Sequence, residues 1–235
     1  VVPFEQAVEI EPALAYLSNN YAGAVFSASD EVGNSQVFTR QLAQWIAKQR
    51  GVEFRLATNI RQIATRGGKL HSVETDQGPI YAGAVVVCMG AWSSRLLQPL
   101  GIRANIYPMR GYSVTLPAIG TSNTSSITDL GNKTVFSRLD DEVRVAGFAD
   151  LTGYRTDKDE ERVSLLLETA RRTAPAIADF NSEHTAEWGG FRPMTPNSQP
   201  LLGPSKVKGV HLNTGHGMLG WTLACASGHQ VAAGI

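Results

Sequence analysis

A glycine-rich turn near residue 220 carries the residues best suited to binding chemistry. Residues 215–220 read Gly-His-Gly-Met-Leu-Gly, which matches the spacing GxGxxG, and they separate a predicted strand (210–214) from a predicted helix (221–233). Such a turn can hold a dinucleotide pyrophosphate, but that function also requires an acidic residue roughly 20 positions further on, and the sequence stops before that point. Two alternatives are open: a tight turn with close packing, or a helix N-terminus whose N–H groups and dipole favour a negative charge.

Four side chains are candidates for a direct role in chemistry. Arg192 follows an aromatic-rich strand, so its guanidinium could form a bidentate pair with a carboxylate; the alternative is a surface or capping arginine. His216 could act as a general base because the pKa of histidine lies near neutrality, and the alternative is a ring that only packs or hydrogen-bonds. Tyr112 and Tyr154 are candidate phenols of a substrate pocket, although half-buried tyrosines are common on strands.

The spacing of histidines and cysteines does not favour a metal site. The five histidines stand at positions 71, 184, 211, 216 and 229 without an HxxxH spacing, and the two cysteines are isolated. No GxSxG turn supports a hydrolase. We expect Cys88 and Cys225 to be buried free thiols, since each lies in an apolar segment.

The overall composition excludes several further classes of protein. The 235 residues include 21 basic and 21 acidic side chains, so the zero net charge provides no basic surface for nucleic acid. The longest apolar run, residues 84–89, is far shorter than the ~20 residues of a transmembrane helix. No signal peptide is visible. Because the chain begins without methionine and stops inside a predicted helix, we expect a piece of a longer protein.

The pattern of apolar residues predicts helices and strands in a mixed order. Residues 35–51 are predicted to form a helix that ends at a glycine, and residues 84–89 form an unbroken apolar strand of the kind that parallel sheets cover on both faces. Between residues 106 and 148 the pattern is typical of alternating strands. The other predicted elements are helices at 11–17, 92–100, 157–173 and 221–233, and strands at 23–26, 52–56, 185–191 and 210–214. Residues 60–73 and 80–81 are predicted to form short strands in hairpins that turn at Gly67-Gly68 and at residues 77–79.

This order of elements predicts a mixed α/β (α+β) fold of two interleaved domains. Residues 22–103 and 188–235 are expected to form a βαβ-like domain, and residues 1–21 and 104–187 an antiparallel-sheet domain. Strands 84–89 and 210–214 are expected to be parallel neighbours, which would bring Gly90, Ala91 and Trp92 near Gly215, His216 and Gly217. We expect Arg192 to point into the cleft between the domains, within reach of residues 215–220, because ligands bind at the carboxyl ends of strands in such sheets.

Four segments occur in the order typical of one protein family. They read VVVCMGAWS at 85–93, YPMRGYS at 107–113, FRPMTP at 191–196 with prolines at 200 and 204, and GHGMLGWTLACASG at 215–228. Together they resemble the D-amino acid dehydrogenases, which belong to the glycine/D-amino acid oxidase-like flavoproteins. The resemblance covers essentially the whole chain, with departures at Asn34 and at Asn197-Ser198.

The resemblance implies FAD as the cofactor. The implied fold is an incomplete FAD/NAD(P)-binding-type three-layer domain interleaved with an antiparallel-sheet substrate domain, because the family's N-terminal strand-GxGxxG-helix, which holds the FAD pyrophosphate, is absent from this sequence. Arg192 is placed as the catalytic residue that binds the substrate carboxylate, and Tyr112 is a further substrate-binding candidate. The cofactor-binding candidates are Ile60, Gly90, Ala91, Trp92, Gly215, His216, Gly217, Met218, Leu219, Gly220, Trp221 and Thr222.

The activity that the resemblance implies is oxidative deamination of D-amino acids to 2-oxo acids and ammonia, with electrons passed to a respiratory quinone or another carrier. Two alternatives are open: an amine oxidase of the glycine or sarcosine type that uses oxygen, and an inactive fragment without cofactor. Because the pyrophosphate-binding segment is absent, we expect this chain alone to hold FAD weakly, with a missing N-terminal polypeptide as its partner. The expected location is the cytoplasm or the surface of the inner membrane.

Overall fold

The computed structural model describes residues 1–17, 21–49, 51–183 and 186–235. The predictions that concern positions 184 and 185 therefore lie outside the described residues.

Strands and helices alternate along the chain, which confirms the mixed α/β class. The strands are β1 (Val2–Pro3), β2 (Gly23–Ala24), β3 (Ile60–Arg66), β4 (Lys69–Thr75), β5 (Gly78–Ile80), β6 (Val85–Val87), β7 (Tyr107–Pro117), β8 (Ile127–Asp129), β9 (Thr134–Leu139), β10 (Glu142–Asp150), β11 (Ala186–Met194), β12 (Leu201–Pro204) and β13 (Val210–Thr214). The helices are α1 (Phe4–Ile10), α2 (Ser35–Ala47), α3 (Ser93–Leu97), α4 (Glu160–Thr173) and α5 (Gly220–Ala232), with short 3₁₀ turns at Pro12–Tyr16, Gly90–Trp92, Gln98–Leu100 and Gly217–Leu219.

The described chain divides into two compact units that are each built from separate segments. Unit one comprises Val1–Thr39, Arg110–Asp150 and Arg155–Gly190. Unit two comprises Arg40–Met109, Leu151–Tyr154 and Phe191–Ile235. None of the described helices is long and apolar enough to cross a membrane.

Unit one is built around a five-stranded sheet in the order β11-β7-β10-β9-β8. Strand β10 pairs antiparallel with β7 on one side and β9 on the other, so that Val145 lies between Val114 and Phe136. These three side chains are fully buried in one apolar core with Leu166 of α4. The alternating strands predicted between residues 106 and 148 are confirmed, because their inward-facing side chains share this core.

Helix α4 shows how local chemistry defines an element of unit one. The side chain of Asp159 accepts a hydrogen bond from the backbone N–H of Arg162 at 3.1 Å, which caps the N-terminus. Glutamates occupy the first turn and arginines the last, as the helix dipole favours. The helix predicted at 157–173 therefore forms, beginning at Glu160 because Asp159 is its cap.

Unit two contains a three-stranded sheet in the order β12-β13-β6 and a second sheet in the order β3-β4-β5. Strands β6 and β13 pair in parallel, with Val85, Val86 and Val87 opposite Val210, His211 and Leu212. The predicted parallel neighbours are thus confirmed. Among the described residues β6 is an edge strand in which Val87 is buried and Val85 and Val86 are half-buried, so the described chain covers its two faces incompletely.

Three predictions fail for a common reason, which is that apolar residues lack a covering neighbour in the described chain. Residues 52–56 form no strand, and Leu56 is 80% exposed. Cys88 and Cys225 are free thiols as predicted, but both are exposed rather than buried. Cys88 follows the edge strand β6, and Cys225 lies on the outer side of α5.

Candidate functional site

Two glycine turns in unit two follow the two parallel strands. The turn Gly90–Trp92 comes shortly after β6, and Gly215 follows β13 directly. Because parallel neighbouring strands end at the same edge of a sheet, both turns lie at one edge, where ligands bind in open α/β sheets. The predicted proximity of Gly90 to Gly215 is therefore confirmed.

A chain of buried hydroxyl groups joins the two turns. The Thr214 hydroxyl donates to the carbonyl oxygen of Gly90 at 3.1 Å. It also lies 2.7 Å from the Ser93 hydroxyl, which donates to it because the Thr214 hydrogen is already used. Both side chains are at most 1% exposed. Sequence reasoning missed this link, although a serine shortly after one apolar strand and a threonine at the end of the other were a signal for it.

The turn at Gly215–Gly217 requires glycine for two reasons. The backbone φ is +78° at Gly215 and +56° at Gly217, in the left-handed region that favours glycine. A β-carbon on Gly215 would lie 2.9 Å from Cγ2 of Thr195, and one on Gly217 would lie 3.1 Å from Sδ of Met194. The end of β11 therefore packs directly against this turn.

His216 lies between these glycines with one ring nitrogen unsatisfied. Its Nε2 atom is buried without a hydrogen-bond partner among the described residues. Burial lowers the pKa of His216 below its ordinary value, so the ring is neutral at pH 7. A buried polar atom without a partner is rare in proteins and calls for a ligand or an ordered water.

The start of α5 adds the positive end of a helix dipole to the same turn. The 3₁₀ turn Gly217–Leu219 leads into α5 at Gly220, and in the described structure no side chain caps this helix. The first N–H groups of a helix have no partner within it and carry the positive end of the dipole. The N-terminus of α5 suits hydrogen-bond acceptors and partial negative charge, and Nε2 of His216 is a further hydrogen-bonding group of the same turn.

Arg192 lies on β11, two residues before Met194. Burial lowers the pKa of its half-buried guanidinium, which stays charged at any physiological pH. Alternate residues of a strand face the same side, so Arg192 shares a face with Met194, whose sulfur packs on Gly217. Phe191 faces the other side and contacts the Trp92 ring with centroids 6.4 Å apart.

The remaining predicted site residues lie elsewhere. Tyr112 is buried in the core of unit one, where burial raises the pKa of its phenol. Ile60 begins β3 in the second sheet of unit two and is partly exposed. Met218, Leu219 and Trp221 are exposed around the start of α5. Their roles stay predictions, as does that of Arg192. No cluster of metal-ligating side chains occurs within the described ranges.

Comparison with known proteins identifies a family and several relatives of this chain. The family described as "DAO: FAD dependent oxidoreductase" matches residues 1–233. The chain is 39% identical over 230 residues to a D-amino acid dehydrogenase of Vibrio vulnificus (strain CMCP6), which covers 97% of this chain and 54% of that protein. A D-amino acid dehydrogenase of Paramagnetospirillum magneticum is 41% identical over 229 residues, with the same two coverages. The chain thus spans about half the length of these relatives.

The solved structures that resemble this chain share its fold. The glycine oxidase from Geobacillus kaustophilus matches with a TM-score of 0.88 at 24% identity, over 99% of this chain and 61% of that one. The L-proline dehydrogenase from P. horikoshii matches with a TM-score of 0.81 at 21% identity, over 98% and 62%. Since the family match extends over nearly every residue, the chain belongs to the FAD-dependent oxidoreductase family DAO, whose cofactor is FAD.

Proposed function

We propose that this chain is part of an FAD-dependent dehydrogenase that oxidatively deaminates D-amino acids. The observation that carries the proposal is the pair of glycine turns at one sheet edge, joined by Ser93 and Thr214, with the end of β11 packed on the second turn. The names of the relatives support the substrate class. We further propose that unit two contributes the flavin-binding part and unit one the substrate-binding part, where Tyr112 lies.

Arg192 is the residue that binds the substrate carboxylate in this proposal. A half-buried guanidinium forms strong bidentate pairs with carboxylates because two N–H groups match the two oxygens. Its strand face, which it shares with Met194, is the face that packs on Gly217. A substrate held by Arg192 would therefore lie beside the turn, with its α-carbon directed toward the cofactor.

The residues of the two turns fit a flavin. Gly90, Ala91 and Trp92, together with residues 215–222, would hold it, with Ile60 as a further contact. FAD, when bound, supplies the two-electron oxidation of the Cα–N bond of the neutral amine to an imine, which water hydrolyses to a 2-oxo acid and ammonia. The N-terminus of α5 stabilises negative charge at its first N–H groups, and Nε2 of the neutral His216 is available as a hydrogen-bonding group.

The substrate role is tested with the substitution Arg192→Ala in the full-length protein that the complete gene encodes. We expect kcat/KM for D-alanine to fall by the equivalent of roughly 2–5 kcal/mol, as it does when one partner of a buried charge pair is removed. Arg103→Ala, an exposed arginine of the same unit, is the matched control. An unchanged kcat/KM in Arg192→Ala would contradict the proposal.

The electron acceptor and the cofactor affinity need separate measurements. We propose a quinone or another carrier as acceptor, in the cytoplasm or at the membrane surface, because the relatives are named dehydrogenases. Dye reduction without steady formation of hydrogen peroxide would support this over an oxygen-dependent oxidase.

For the 235-residue chain alone we expect weak FAD binding, because the N-terminus of α5 would serve only the flavin end of the proposed site. A flavin absorbance near ~450 nm after gel filtration would contradict this expectation.

A further inference from the structure

Three aromatic rings of unit two meet at one point, and each comes from a different segment of the chain. Trp92 belongs to the Gly90–Trp92 turn, Tyr154 to the four-residue segment Leu151–Tyr154, and Phe191 to β11. The ring centroids of Trp92 and Tyr154 are 4.6 Å apart, and Phe191 lies 6.2 Å from Tyr154. The cluster therefore joins the first glycine turn to the strand that carries Arg192.

Tyr154 makes two further contacts that fix its position. Its hydroxyl donates to the backbone carbonyl of Ala91 at 2.9 Å, inside the glycine turn. The guanidinium carbon of Arg95 lies 3.7 Å from the centroid of the Tyr154 ring and 5.1 Å from that of Trp92, so the cation covers both rings. The phenol therefore donates its hydrogen to a main-chain carbonyl of the turn.

The direction of Arg192 depends on this cluster through Phe191. Adjacent residues on a strand point to opposite faces, so holding the Phe191 ring against Tyr154 holds Arg192 on the other face. Bidentate recognition of a carboxylate tolerates a displacement of only about 0.5 Å. A contact that fixes β11 relative to the Gly90–Trp92 turn therefore sets how well Arg192 is placed.

We propose that Tyr154 is a positioning residue, which holds Phe191 and the Gly90–Trp92 turn together and so aligns Arg192 with the cofactor turn. The inference rests on the proposed role of Arg192 and concerns a residue that would act through its contacts with Ala91 and Phe191. Two substitutions distinguish the hydrogen bond of Tyr154 to Ala91 from its ring contact with Phe191. Tyr154→Phe removes only the hydrogen bond to Ala91, whereas Tyr154→Leu also removes the ring that contacts Phe191.

The first experiment measures amide hydrogen exchange in the product of the complete reading frame. We expect Tyr154→Phe to raise exchange in residues 90–92 about fivefold, the effect of one lost hydrogen bond, and to leave residues 191–194 unchanged. Tyr154→Leu should raise exchange in both segments by about tenfold. Tyr81→Leu, an exposed tyrosine of the same unit, is the control and should change neither. If Tyr154→Leu leaves residues 191–194 unchanged, the proposal is wrong.

The second experiment is a double-mutant cycle on the KM for D-alanine. We expect Tyr154→Leu to raise KM about tenfold with a smaller change in kcat, and to have no further effect when Arg192 is already alanine. Full additivity of the two substitutions would show that Tyr154 does not act through Arg192 and would overturn the inference. If Arg192→Ala alone has no effect, the proposed function itself fails, so the two failures are distinguishable.

Discussion

The two units differ in how completely each covers its own apolar side chains. In unit one, side chains from β7, β9, β10 and α4 close around Phe136, which is fully buried. In unit two, the described residues leave Leu56 and Trp45 largely exposed and Phe54 partly exposed, and the short parallel strand β6 forms a sheet edge. The candidate site lies on the less covered unit. We infer that unit one is stabilised by its own core, whereas unit two, which holds the candidate site, buries a smaller apolar cluster in the described chain.

One substitution in each unit tests this difference, and we expect it to give the largest effect. Phe136→Ala should destabilise unit one by about 3–5 kcal/mol, because it leaves a cavity in a closed core. Leu56→Ala in unit two should change the free energy of unfolding by no more than ~0.5 kcal/mol, because Leu56 is 80% exposed. Urea unfolding of both variants measures the contrast. A similar loss in the two variants would mean that Leu56 is covered in solution, which would contradict the difference between the units.

A second prediction concerns the rigidity of the site within the less covered unit. Gly215 and Gly203 both have a positive φ, at +78° and +94°, but only Gly215 has neighbours within 4 Å of an added β-carbon. Gly203→Ala should cost the backbone strain of roughly 1–2 kcal/mol, and Gly215→Ala an additional 1–3 kcal/mol, approximately, because the methyl group would overlap Thr195.

Unfolding free energies of these two variants give the comparison directly. Equal losses would show that Thr195 moves away at little cost, so that the contact between β11 and the turn is loose. An excess loss in Gly215→Ala would show that the close approach is part of the folded structure of unit two.

The sequence predicts those elements of this molecule that depend on residues close together in the chain. The apolar side of α4, the glycine at position 215 and the alternation in β7 and β10 each define an element within a few residues. The prediction at 52–56 fails because an alternating apolar pattern forms a strand only beside a partner strand. For the same reason, the exposure of Cys88 depends on which strands neighbour β6, and its own segment does not indicate this.

The contacts that define the candidate site could be predicted only in part. Pairing of the two apolar strands follows from their composition, and it brings the glycine turns together. The Ser93–Thr214 hydrogen bond joins residues 121 positions apart, and the Tyr154–Ala91 bond residues 63 positions apart. Such contacts depend on the three-dimensional register of the strands, which periodicity does not encode. Tyr154 was therefore recognisable as a tyrosine near a candidate pocket but not as a connection between two segments.

The smallest expected effect is a difference in how the two units respond to acid. In unit one, burial raises the pKa of Glu11, but hydrogen bonds from Ser125, Thr124 and Ala13 outweigh it, so the pKa lies below its ordinary 4.5. In unit two, burial lowers the pKa of His216 below 6.5. In both cases the unfolded state binds the proton more readily, so stability is present above the ordinary pKa and is lost as the pH falls.

The two losses should therefore begin at different pH values. Unit two should weaken below about pH 6.5 and unit one only below about pH 4.5. Amide exchange of Val210 in unit two and of Val145 in unit one, measured at pH 7, 5.5 and 4 with correction for intrinsic rates, reports each unit separately. His216→Asn should abolish the first loss and Glu11→Gln the second, whereas Glu9→Gln at an exposed position of α1 should abolish neither. Parallel weakening of both units in His216→Asn would mean that they unfold as one cooperative body, and stability would then not distinguish the unit with the closed core from the unit with the candidate site.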